Sequence, residues 1–118
     1  MMENTTVNLS YLVALCDGDD EFMNTIIASF VSEMPELLSA IQQKMQEGDW
    51  KSVGELAHKM KPSVQFVGMD DTVEKAKRIE QFCREASVRS DQVTVLVGAV
   101  TQKTEEAVTV LRTMLDET

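Results

Sequence analysis

The segment "AHKMKPS", residues 57–63, holds the single histidine of this 118-residue chain, with a lysine three positions after it and a proline four positions after it. A neutral imidazole is a good nucleophile near pH 7, and an ammonium one helical turn away can stabilise charge developing on a group attached to the ring. The pair His58 and Lys61 therefore suits transfer of an anionic group, above all a phosphoryl group. Other chemistries lack their parts. Cys16 and Cys83 are isolated from one another and from the histidine, so neither a CxxC pair nor a zinc tetrad can be assembled, and both read as small buried apolar residues. No carboxylate cluster suggests a metal site, and no cofactor is expected. A GxxxxGK[ST] motif or glycine-rich loop is missing too, so any ATP must be bound by another protein.

The elements that must position these residues are helices. Apolar residues recur at Phe22, Ile26, Ile27, Phe30, Met34, Leu37, Leu38, Ile41 and Met45, the three-and-four spacing of one helical face. Asp19 or Asp20 can cap this helix, and Pro35 removes one backbone donor and should bend it. In "EGD", Gly48 can take the left-handed residue past the helix while Asp49 caps the next, which begins at Trp50. That second helix repeats the pattern at Val53, Leu56, Ala57, Met60, Val64 and Val67 and stops at Gly68, with Asp70 or Asp71 available as the following cap. A shorter helix follows with Val73, Ala76, Ile79 and Cys83 aligned, and after "SVRSD" a last one with Val93, Val97, Val100, Thr104, Ala107, Leu111 and Leu115. "VTVLVGAV" would suit a buried strand by propensity, but its stripe continues for four further turns, which favours helix. With a short N-terminal helix around "NLSYLVAL", the expectation is all-α, an antiparallel up-down four-helix bundle plus one short helix, forming a single domain over residues 1–118.

At 100° per residue, His58 lies about 140° from Val53, the centre of its helix's apolar stripe, and so points to water. Gly54, Lys61, Pro62 and Gln65 share its face. Gly54 removes bulk and Lys61 adds a cation, which would let a large anionic surface approach the imidazole. A second reading stays open: a helical interaction module that docks a partner without phosphoryl chemistry, for which eight methionines would supply an adaptable surface.

A formal charge of −9 would repel phosphate backbones and anionic lipid, so nucleic acid and membrane surfaces are poor partners. The longest apolar runs fall far short of the roughly 20 residues that span a bilayer, and "MMENTTVN" has no basic leader region. A cytoplasmic monomer is expected.

"AHKMKPS", set in "GDWKSVGELAHKMKPSVQFVGM", resembles the signature of histidine-containing phosphotransfer (HPt) domains, an Ala-His pair followed by Lys three residues after the histidine and then by small residues. "YLVALCDGDDEFMNTIIASFVSEMPELL" is similar to the family's N-terminal segment, so the likeness covers roughly residues 9–86, and the last helix matches only as a helix. The resemblance implies a phosphocarrier rather than an enzyme with its own ATP site. His58 would carry a phosphoryl group between receiver domains of response regulators and hybrid histidine kinases, Lys61 would stand beside that group, and Mg²⁺ would sit on the partner receiver. Glu80, on the next helix, would hold the imidazole in one tautomer, or else be a solvated helix-face glutamate. Gly54, Pro62 and Gln65 would frame the docking surface. Pro62 departs from the family's usual glycine and should disturb helix regularity at the active residue.

Overall fold

The computed structural model describes residues 6–116. The first five residues of "MMENTTVN" and the last two of the expected 1–118 domain lie outside them. The described chain is all-α: α1 (Ser10–Cys16), α2 (Asp20–Gln46), α3 (Trp50–Phe66), α4 (Asp70–Cys83) and α5 (Ser90–Asp116), with no strand among the described residues. Valine-rich "VTVLVGAV" is helical because Val93, Val97 and Val100, at helical spacing, are all buried in the core. Tertiary burial on one stripe outweighs the strand preference of β-branched residues.

Local sequence sets the ends. Asp19 accepts a hydrogen bond from the Phe22 amide at 3.0 Å and caps α2. Asp49 accepts from the Ser52 amide at 3.2 Å and from its hydroxyl at 2.7 Å, and these bonds hold the Asp49 carboxyl below the usual carboxylate range. The expected Asp70 or Asp71 cap is not found. Helix α4 begins one residue early, after Met69, and both aspartates fall inside its first turn, where they favour the helix dipole without capping it. The reason is the way α3 closes: the amides of Gly68 and Met69 bond back to the carbonyls of Gln65 and Val64, which carries the chain directly into α4.

Gly68 is required in that turn. Its φ is 73°, and an added Cβ would stand 2.1 Å from the Asn8 carbonyl oxygen, because the chain before α1 crosses here and donates the Asn8 amide to Val67 at 2.8 Å. Helices α2 and α3 continue without a break through Pro35 and Pro62, each of which lacks one backbone donor.

Helix α3 packs between α2 and α4, and α5 closes the ring by packing on the same two helices. Their shared core includes Phe30, Met34, Met60, Ile79, Val97 and Leu111, with Leu12 of α1 added. Cys16 and Cys83 are buried free thiols. The six methionines among the described residues are buried or half-buried, so they offer no exposed adaptable surface. No described helix is long and apolar enough to cross a membrane.

Candidate functional site

His58 occupies the middle of α3. Val53, Ala57, Met60 and Val64 commit the opposite face of that helix to the core, and this leaves the His58 side chain 65% exposed at the edge facing α4. A core-facing stripe thus fixes an outward-facing imidazole on a rigid element.

From α4, Glu80 reaches up to it. Val73, Ala76, Ile79 and Cys83 bury α4 against α3 and the rest of the core, and Glu80, adjacent to Ile79 on that face, is carried inward with them. Its side chain is only 8% exposed, so it is not a solvated helix-face glutamate. A carboxylate buried to this degree must be paired. Three groups do so: His58 Nδ1 lies 2.6 Å from Oε1, an Arg84 guanidinium nitrogen donates to the same oxygen at 2.9 Å, and Lys61 Nζ donates to Oε2 at 2.6 Å. Burial alone would push the Glu80 carboxyl up. The hydrogen bonds from Lys61 and His58, together with their charges, outweigh it and hold Glu80 below the usual carboxylate range.

The ionised state of Glu80 decides the tautomer. A carboxylate can only accept, so the proton of the bond belongs to Nδ1, which leaves the lone pair of a neutral ring on Nε2. Nε2 is on the opposite edge of the ring from the buried pair. The arrangement would suit a nucleophile, with its proton parked on the far nitrogen and a fixed negative charge behind it.

His58 and Glu80 line an open groove of about 710 Å³ between α3 and α4, with Lys51, Gly54, Glu55, Cys83 and Arg84. Gly54 is buried on its floor, not exposed at its rim. An added Cβ would stand 2.9 Å from the Cys83 Cβ, so the missing side chain lets α3 and α4 approach closely and thereby brings Glu80 under His58. Pro62 and Gln65 are exposed farther along α3 and do not join the Glu80 cluster. Lys61 is more committed than its spacing suggests: it is 22% exposed and bonded to the carboxylate.

Arg84 was not singled out by sequence reasoning. Its signal was available, since an arginine four residues after a glutamate on one helix is positioned to pair with it. What the sequence could not supply was that this glutamate turns inward. Among the described residues no group of three or more histidine, cysteine or carboxylate side chains is arranged to hold a metal ion.

A family model described as the Hpt domain matches residues 25–118. The match begins inside α2, leaving α1 outside it, and runs through α5, which the sequence likeness covered only as a helix. No curated protein and no solved structure matches the chain.

Proposed function

The chain belongs to the Hpt domain family, and from that premise we propose that it relays a phosphoryl group through His58 between aspartates of receiver domains in a cytoplasmic two-component phosphorelay. The observation that carries the proposal is the exposed imidazole whose Nδ1 is tied to a buried carboxylate at 2.6 Å. The ring of helix contacts and the short turns support an antiparallel up-down four-helix bundle as its scaffold, with residues 1–118 as one such domain.

In the transfer step the Nε2 lone pair attacks the phosphorus of a receiver's aspartyl phosphate in line. The N–P bond forms as the O–P bond breaks, and the electron pair returns to the receiver's carboxylate. Nδ1 keeps its proton, so the ring becomes cationic, and Glu80 stabilises that charge from behind. Such chemistry depends on positioning and on neutralising the phosphate oxygens. The receiver's acidic pocket supplies the Mg²⁺, so the complete site exists only in the complex. The reverse reaction passes the group to a second receiver.

The experiment is a comparison of donors. Incubation with labelled ATP and Mg²⁺ should leave the chain unlabelled, whereas a cognate phosphorylated receiver with Mg²⁺ should give acid-labile, base-stable label. Efficient labelling by ATP alone would replace this reading with a kinase.

A further inference from the structure

The cluster around Glu80 holds one cation more than its carboxylate needs. Lys61 and Arg84 carry two positive charges against one negative, and the other two charged residues that line the groove, Lys51 and Glu55, offset each other. A phosphoryl group on Nε2 brings about two negative charges, and the ring, keeping its Nδ1 proton, gains one positive. The change is one negative charge, which cancels the excess. The site is therefore balanced for its loaded state and unbalanced without it.

The two cations are not equally free to respond. Lys61 bonds Oε2 at 2.6 Å, shares that oxygen with no other side chain among the described residues, and is 22% exposed. Arg84 is 74% exposed and shares Oε1, at 2.9 Å, with the imidazole at 2.6 Å. Its guanidinium has further donors in a planar fork suited to phosphate oxygens. Moving it leaves Glu80 still bonded to Lys61 and His58, whereas moving Lys61 would strip Oε2.

Resting on His58 as the phosphoacceptor, we infer that Arg84, and not Lys61, is the cation that swings onto the phosphoryl group of phosphorylated His58, while Lys61 stays behind to hold Glu80. Outside the complex no receiver supplies the Mg²⁺ or an in-line acceptor, so a guanidinium on those oxygens acts as an ion pair of the loaded ring and shields it from water, which prolongs the phosphohistidine.

The test loads the full chain with phosphoramidate, whose P–N bond is exchanged for the Nε2–P bond with release of ammonia. Lifetime and the ³¹P titration midpoint are then followed in the parent, Arg84→Gln, Arg84→Lys and Lys61→Gln chains. Arg84→Gln should shorten the lifetime about threefold, a typical size for one exposed ion pair, and should raise the ³¹P midpoint, with Arg84→Lys in between. Added salt should shorten the parent's lifetime and leave that of Arg84→Gln nearly unchanged. If the parent is labelled but Arg84→Gln matches it in lifetime and midpoint while Lys61→Gln shifts both, the inference is overturned and the phosphocarrier reading survives. If the parent takes no label on His58, both fall together.

Discussion

His58 Nδ1 and Glu80 Oε1 stand 2.6 Å apart across the α3–α4 interface, one residue exposed and the other buried. This single bond connects the packing of two helices to the protonation of one ring, because α4 must be docked for the carboxylate to reach the imidazole. Fold and reactivity are coupled there.

Replacing Glu80 by Gln should release the tautomer. The amide can donate or accept, so the proton is no longer confined to Nδ1, and the charge that stabilises the loaded ring is lost. ¹⁵N spectra of His58 should change from a predominantly Nδ1-protonated ring to a mixture, and phosphotransfer should slow about tenfold or more. An unchanged ring spectrum would separate Glu80 from the chemistry.

The same carboxylate makes a prediction about acid. Its folded pKa is depressed below the ordinary 4.5, so the stability it contributes is complete above that value and is lost as pH falls through the lower folded value. The stability difference between the parent and Glu80→Gln should therefore shrink as pH falls below the ordinary carboxylate range. Urea unfolding at a series of pH values measures it, and Asp49, present in both chains, cancels. A difference that is flat into strong acid would contradict the ionised, paired Glu80.

Gly54→Ala should destabilise the chain by about 1–3 kcal/mol, the usual cost of overpacking, since its Cβ meets the Cys83 Cβ at 2.9 Å. Had the glycine served only to admit a partner, stability would be untouched and transfer alone would suffer. Urea midpoints beside transfer rates separate the two.

Lys61→Ala removes the donor on Oε2 of a buried carboxylate, and should cost about 1–3 kcal/mol as well as slowing transfer. A solvated surface lysine would show neither effect.

Much of this was legible in the sequence, and the rest was hidden for physical reasons. Period and turn residues placed α2, α3 and α5, and the wheel angle of His58 gave its exposure, because each depends on residues close in the chain. The left-handed conformations of Gly48 and Gly68, with φ of 72° and 73°, follow from the same local logic. Met69 in place of Asp70 or Asp71 at the start of α4 was not legible, since it depends on how the end of α3 closes. Gly54 reads in sequence as clearance for a partner, and its packing role was not legible because Cys83, against which it closes, is 29 positions away. Arg84 was overlooked for a related reason: a Glu-to-Arg spacing of four usually marks a solvated face, and only the docking of α4 turns this one toward an imidazole.

The central claim, that His58 is the phosphoacceptor, is tested most directly by presenting a cognate phosphorylated receiver and Mg²⁺ to the parent chain and to His58→Gln, with helicity and melting temperature measured alongside. The side chain is largely solvent-exposed, so its replacement should leave helicity intact, although the loss of the Nδ1 bond to Glu80 should lower melting slightly. The account predicts acid-labile, base-stable label on the parent and none on a folded His58→Gln. Label retained by that variant would contradict it.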